Sequence, residues 1–264
     1  GLPAINRPFG LADYDAQRAD LEVEALVYVE VGVDPVDAQR EAEWAAALAQ
    51  SDPRLQGIVA AAPIEQGDRI RPYLETLVAL SSRVKGVRRI LQDEPDPRFC
   101  LRPDFVCGVQ LLAELGLSFD LCIVHRQLPA VIELVRQCPG TSFILDHCAK
   151  PDIRRGTRDP WRAHIRELAE LPNVVCKLSG LVTEADHQVW TLDDLRPYVA
   201  HVLDQFGEDR MLFGGDWPVT LLASSYVRWV ETLDILTAHL SWEGRRKLWA
   251  ENARRVYRLA DGQS

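Results

Sequence analysis

Several common signatures are missing from this sequence. Its six cysteines, at positions 100, 107, 122, 138, 148 and 176, form no C-x-x-C pair. That removes the usual mark of a zinc knuckle or a dithiol redox site and leaves reduced, mostly core thiols as the expectation. No G-x-G-x-x-G or G-x-x-x-x-G-K loop occurs, so the sequence has no recognisable phosphate cradle. No G-x-S-x-G nucleophile elbow occurs either. Basic residues are outnumbered, 30 Lys and Arg against 39 Asp and Glu, for a net charge of -9. They form no basic stripe, which argues against a nucleic-acid partner. The apolar runs fall far short of the ~20 residues that span a bilayer, so no membrane partner is expected. No secretory leader is visible, and a cytoplasmic location is the expectation. The sequence opens on Gly1 rather than Met, from which we expect an upstream segment to be missing.

What is present is a regular alternation. Short β-branched runs read as strands over 26–31, 55–62, 84–91, 118–124, 142–146, 173–178 and 211–214. Longer amphipathic stretches between them read as helices over 34–48, 68–80, 103–115, 128–138, 161–171 and 193–206. Two more, about 224–240 and 241–257, end the chain, and the segment before Asp20 holds a helix start but no strand. Alternation of this kind predicts a parallel sheet. A chain of 264 residues fits one α/β barrel, which takes about 250. Seven units are legible where a closed (β/α)8 TIM barrel has eight, so the expectation is one barrel domain with its first strand missing.

Strands of such a sheet are covered by helices outside, so a charged residue within one must point inward or into a rim. Six of the seven carry such a residue: Glu30, Arg88 or Arg89, Asp120, His147, Lys177 and Asp216. Alternation sends only one of the arginine pair inward, and Arg88 is favoured. A charged ring inside an apolar barrel costs too much unless it binds something or pairs fully. In MLFGGDWPV, Gly214 and Gly215 allow a tight turn, Asp216 stands just past the strand, and Trp217 with Pro218 forms an apolar wall. A carboxylate in that setting suits a general base. Ser179 shares a face with Lys177, and His125 follows a strand at the same end. His164, His187, His201 and His239 read as surface residues. Trp44, Trp161, Trp229 and Trp249 read as core or interface anchors, which leaves a homo-oligomer possible.

Three blocks are specific in combination: KGVRRILQDEPDP, FDLCIVHRQLP with ILDHCAKPDI, and VVCKLSGLVTEAD with LFGGDWPV. Together they resemble the amidohydrolase-related (amidohydrolase 2) family. Within it they are similar to the sugar-lactonase branch, the L-fuconolactonase and L-rhamnonolactonase type, related to 2-pyrone-4,6-dicarboxylate lactonase. The resemblance implies a barrel with one site at the C-terminal ends of the strands. It places the water-activating aspartate on Asp216, a strand-end histidine on His147, and the basic residues of two strands on Arg88 or Arg89 and on Lys177.

The family's first-strand H-x-H is absent, and Asp120 stands where its metal-binding branches carry a histidine. His147 and Asp216 remain as metal ligands, too few for a protein zinc site. The expectation is therefore no required cofactor, or one divalent metal such as zinc completed by an absent N-terminal H-x-H. The expected reaction is hydrolysis of a small-molecule sugar lactone to its aldonic acid. Asp216 serves as base, and His147 with Arg88 or Lys177 stabilises the oxyanion. Glu30, Asp120, Ser179, His125 and Trp217 contact the sugar. A metal-dependent amidohydrolase or decarboxylase of the same superfamily, and a non-catalytic sugar-acid-binding barrel, are the alternatives.

Overall fold

A computed structural model describes residues 5–260. Its seven strands are β1 (Leu26–Val29), β2 (Leu55–Ala61), β3 (Val84–Arg88), β4 (Ser118–Leu121), β5 (Phe143–Leu145), β6 (Val174–Leu178) and β7 (Met211–Phe213). They pair in sequence order and all in parallel. Each connection carries a helix, as a parallel crossover requires: α2 (Ala38–Ser51), α3 (Arg71–Leu80), α4 (Pro103–Glu114), α5 (Leu128–Gln137), α6 (Trp161–Ala169), then α7 (Leu181–Glu184) and α8 (Leu192–Phe206). Helix α1 (Leu11–Arg18) precedes the sheet, and α9 (Tyr226–Leu236), α10 (Trp242–Arg246) and α11 (Asn252–Tyr257) follow it.

Strands β4, β5 and β6 are buried on both faces, which is why they read as nearly continuous apolar runs. The larger core lies between the sheet and the helices. A second, smaller cluster of Val59, Ile144, Val175 and Leu212 lies on the concave face, joined by Tyr257. Side chains from β3, β4 and β6, and from the loops after β1 and β5, meet in one chain of ion pairs. The sheet must therefore curl until its concave residues touch. Among the described residues the curl does not close, since β1 and β7 are the two ends of the sheet. The seven strands expected of a barrel are thus seen, with an open seam between β1 and β7.

Strand ends differ from the sequence reading where a side chain has somewhere else to go. The third strand stops at Arg88 because Arg89 turns out of the ladder to Glu65 and Glu94. Helix α9 ends at Leu236, where Thr237 folds its hydroxyl back onto the Leu233 carbonyl at 2.7 Å. The stretch expected as one helix over 241–257 contains a π-helical segment, Lys247–Glu251. That bulge lets the last turns swing beneath the sheet. Asn252 Nδ2 donates to the carbonyls of Met211 and Glu208 at 2.8 and 2.7 Å. Arg254 pairs with Glu24 just ahead of β1, and Arg258 donates to the carbonyls of Gly116 and Lys85. The C-terminal segment therefore runs from the start of β7 to the starts of β1, β3 and β4, and floors the sheet at the end opposite the candidate site.

Of the four helix tryptophans, Trp161 and Trp229 are fully buried, Trp249 is partly buried, and Trp44 is half exposed against Tyr28. No described helix is long and apolar enough to cross a membrane.

Candidate active site

The strand ends deliver their polar residues to two adjacent places. The first is a pair at the mouth. His147 follows β5 and Asp216 follows β7, with His147 Nε2 3.7 Å from Asp216 Oδ1. Their side chains retain 11% and 13% exposure, so both reach a mouth from which water is only partly excluded. Ser179, at the end of β6, holds the other side of the imidazole through a 2.8 Å Nδ1–Oγ hydrogen bond. When the serine hydroxyl donates to Nδ1, the ring proton sits on Nε2 and faces Asp216. Burial lowers the His147 pKa, against the opposing pull of Asp216 and Asp146, so the neutral imidazole is favoured.

Local backbone explains how the pair is aimed. His147, Cys148, Ala149 and Lys150 are four consecutive residues with left-handed φ, between 48° and 60°. Asp216 shares that conformation, at φ 49°. Non-glycine residues adopt it at a cost of about 1–2 kcal/mol each. The turn persists because its surroundings over-determine it. Lys150 N–H donates to the His147 carbonyl at 2.8 Å, and Trp161 Nε1 donates to the Cys148 carbonyl at 2.8 Å. Gly180 leaves the room this requires. A Cβ there would lie 2.7 Å from His147 Nδ1 and 3.0 Å from Asp216 Oδ2, at a φ of +62°. Gly214 is small for a similar reason, since a Cβ would sit 2.7 Å from the Ser179 Cβ.

The second place is a chain of charges beneath that pair. Glu30 Oε1 accepts from Arg88 Nε at 2.6 Å, and Arg88 Nη1 donates to Asp146 Oδ2 at 2.9 Å. Arg88 also donates to the Glu30 carbonyl. The other Asp146 oxygen accepts from Lys177 Nζ at 2.8 Å. Lys177 Nζ also donates to Asp120 Oδ2 at 2.6 Å, and the same oxygen accepts from the Tyr257 hydroxyl at 2.6 Å. Burial acts to raise Asp146, but Lys177 and Arg88 outweigh it and hold the carboxyl well below the usual range. Burial raises Asp120 despite Lys177, and the nearby Asp146 adds to the rise. Lys177 stays protonated between its two carboxylates.

This network changes the role expected of four residues. Asp120 is fully buried, and Glu30 is 2% exposed. Neither presents the open acceptor that a sugar hydroxyl needs. Arg88 and Lys177 are already surrounded by acceptors, so neither is a spare donor for an oxyanion. Their geometry suits another task. They clamp Asp146, the residue before His147, and so fix the start of the strained turn. Trp217 also departs from expectation, because its ring stacks edge-on against Phe9 and Tyr14 at 5.4 Å each. It ties the Asp216 loop to α1 and its approach. His125 lies at the mouth and bonds the Lys150 carbonyl through Nδ1 at 2.9 Å. A carbonyl only accepts, so Nδ1 carries the proton.

Sequence reasoning missed Asp146, Lys150, Glu184 and Tyr257. Asp146 had a legible signal, since it lies two residues after inward-facing Ile144. Glu184 ends α7, the short helix that begins directly after Gly180, and burial raises its carboxyl.

A metal is the other chemistry that a His–Asp pair supports. Cys122, Asp146 and His147 bring ligand atoms within 4.8 Å of one another. Burial pushes the Cys122 thiol up to about 11, and both Asp146 oxygens already face cationic donors. That trio offers neither a ready thiolate nor a free carboxylate. His147 and Asp216 are then two ligands where zinc takes three or four. Among the described residues the donor set does not fit zinc on its own.

Comparison with known proteins agrees with this architecture. The amidohydrolase family profile matches residues 2–259. The chain belongs to the amidohydrolase family. An L-fucono-1,5-lactonase of Burkholderia multivorans is 40% identical over 220 residues, covering 76% of this amidohydrolase and 72% of the relative. An L-fucono-1,5-lactonase of Burkholderia ambifaria is 30% identical over 98% of the chain and 88% of its own length. Among solved structures, an amidohydrolase from Burkholderia multivorans superposes with a TM-score of 0.81 at 34% identity, covering 90% of this chain and 84% of that one. It has been crystallised with bound HEPES and, in another crystal form, with bound zinc.

Proposed function

We propose that this amidohydrolase opens a sugar lactone to the corresponding aldonic acid, with an L-fuconolactone- or L-rhamnonolactone-like ring as substrate. The observation that carries the reading is the His147 Nε2–Asp216 Oδ1 apposition of 3.7 Å at the strand ends, beside a mouth that solvent reaches. Two relatives bearing the name L-fucono-1,5-lactonase support the substrate class.

Asp216 takes a proton from a water molecule, whose oxygen attacks the lactone carbonyl carbon. Neutral His147, oriented by Ser179, donates through Nε2 to the oxygen on which charge develops. The acyl C–O bond of the ring then breaks, and the ring oxygen leaves as a hydroxyl by taking the proton that Asp216 removed from water. Water is added across one bond, with no change in oxidation state. A lactone is an activated ester, so a carboxylate-assisted water suffices where an amide needs a stronger nucleophile. We read the open seam between β7 and β1 as the place an eighth strand occupies in a closed barrel. A zinc-dependent version of the reaction would need its missing ligands from there.

The test is hydrolysis of L-fucono-1,5-lactone followed by acid release. Loss of a general base costs about 100- to 10,000-fold, so Asp216→Asn should lose that much in kcat. Full activity in Asp216→Asn, with the fold intact, ends this reading. Binding of the lactone with no turnover by the unmodified protein favours a non-catalytic sugar-binding barrel instead.

A further inference from the structure

In the mechanism above the developing oxyanion meets one neutral donor, His147 Nε2, and no cation. Charge develops on the lactone carbonyl oxygen, and the two cations nominated for it from the sequence, Arg88 and Lys177, are enclosed by Glu30, Asp146 and Asp120. Arg89, the other basic residue at that strand end, pairs with Glu65 and Glu94. A further cation lies at the mouth. Lys150 ends the left-handed turn that begins at His147, and among the described residues it takes part in no ion pair. Its ammonium donates to the side-chain carbonyl of Gln92, a neutral acceptor. An ammonium has three donors, so one such bond leaves two.

The position of Lys150 is built rather than incidental. Its N–H is tied to the His147 carbonyl at 2.8 Å and its carbonyl to His125 at 2.9 Å, so the lysine and the histidine share one rigid turn. Gln92, which receives the ammonium, is fixed in turn, its N–H donating to the Cys122 carbonyl at 3.1 Å. The ammonium is close enough to act electrostatically on His147, Cys122 and Glu184 alike, which puts it among the groups at the mouth. Glu184 is the acidic member of that set, and burial raises its carboxyl against the pull of Lys150. Four left-handed residues in a row are an expensive way to make a turn. They bring an imidazole and an unpaired ammonium to the same opening.

We infer that Lys150 is the cation that receives the carbonyl oxygen of the lactone during attack and the carboxylate of the aldonate after ring opening. This rests on the lactonase reading of the same site. The lysine forms no covalent bond and keeps its proton throughout. It is a fixed positive charge facing the oxygen that becomes negative, next to the imidazole N–H. Because the product carries a full carboxylate where the substrate carries a carbonyl, Lys150 also makes the site hold product more tightly than substrate.

The experiment compares Lys150→Met and Lys150→Arg with the unmodified protein, using L-fucono-1,5-lactone as substrate and its aldonate as inhibitor. Loss of one such donor costs about 100- to 1,000-fold. Lys150→Met should lose that much in kcat/KM, and aldonate inhibition should weaken at least tenfold. Lys150→Arg should recover part of both. The side chain is only partly buried, so the thermal midpoint should stay where it is. Added ethylammonium should restore activity to Lys150→Ala, which a purely structural role would not allow. Wild-type kcat/KM in Lys150→Met overturns the inference. So does lost activity with unchanged aldonate inhibition and no rescue by the amine. If Asp216→Asn is inactive while Lys150→Met is unimpaired, only the lysine assignment fails. If Asp216→Asn is fully active, the lactonase reading itself has failed.

Discussion

Replacing Tyr257 by Phe removes one oxygen from the floor of the sheet and tests whether the buried charge chain behaves as a unit. The hydroxyl is wholly enclosed and donates to Asp120 Oδ2 at 2.6 Å, the same oxygen that receives Lys177. The second carboxylate oxygen, Asp120 Oδ1, is buried with no partner. After the substitution Asp120 is left with Lys177 alone. A hydrogen bond to a charged group contributes about 1.5–3 kcal/mol. For a chain of this size each kcal/mol moves the thermal midpoint by about 3 °C, so Tyr257→Phe should melt roughly 4–9 °C lower. The ring remains, so the apolar packing against Val59, Ile144, Val175 and Leu212 is kept and no cavity accounts for the change. Urea denaturation of Tyr257→Phe, Asp120→Asn and the double variant isolates the pairwise coupling. We expect a coupling of at least about 1 kcal/mol. Additive effects of the two substitutions, or an unshifted midpoint for Tyr257→Phe, refute the reasoning, because either shows that the hydroxyl and carboxylate do not depend on each other.

Two further outcomes follow from the geometry. Gly180→Ala places a methyl group 2.7 Å from His147 Nδ1 in a left-handed backbone position, so the imidazole must move off Asp216. A displacement of about 1 Å costs on the order of 100-fold, and steady-state kinetics of the variant should show that loss mainly in kcat. Glu41 is buried, accepts from Tyr28 and the Val31 N–H through Oε1, and leaves Oε2 unpartnered, with burial as the main cause of its raised pKa. A carboxyl whose pKa is higher in the folded state holds extra protons there. Its stabilising contribution is complete below the ordinary value of 4.5 and is lost as pH rises through the folded value. Glu41→Gln should therefore raise the thermal midpoint at pH 7 and lose that advantage near pH 4, whereas a destabilised variant at pH 7 contradicts the account.

Much of this site could be read in the sequence, because a charge inside a doubly covered strand has few places to go. Arg88, Asp120, Lys177 and Asp216 were each identifiable from an apolar run that they interrupt or end. Pattern alone could not tell which of these charges meet one another. Glu30, Arg88, Asp146, Lys177 and Asp120 lie on or just after five different strands, and only the curl of the sheet decides that they pair in that order. The floor was illegible for a different reason. The last helix has an ordinary amphipathic pattern, and nothing in that pattern announces a π-helical segment at Lys247–Glu251. That segment swings Tyr257 under the strands. The left-handed run was equally hidden, since His147, Cys148, Ala149 and Lys150 are not residues that favour the conformation.

The two halves of the site explain each other when their costs are compared. A left-handed turn of four non-glycine residues, at about 1–2 kcal/mol apiece, would relax if its first residue were free to move. Asp146 prevents that, because swinging it away would leave Arg88 and Lys177 each short of a buried anion. Breaking a buried ion pair costs about 3–5 kcal/mol, and Asp146 serves two such pairs at once. The clamp therefore outweighs or matches the strain it restrains. The consequence for catalysis is directional. In the proposed mechanism the cations under the mouth act on the backbone through Asp146, while the imidazole, the carboxylate and the lysine above it act on the substrate. A substitution that disturbs only the lower layer, such as Tyr257→Phe, should thus lower the turnover number by loosening His147 while leaving the KM for lactone nearly unchanged. A matching rise in KM would place the lower layer in contact with substrate and reverse this division.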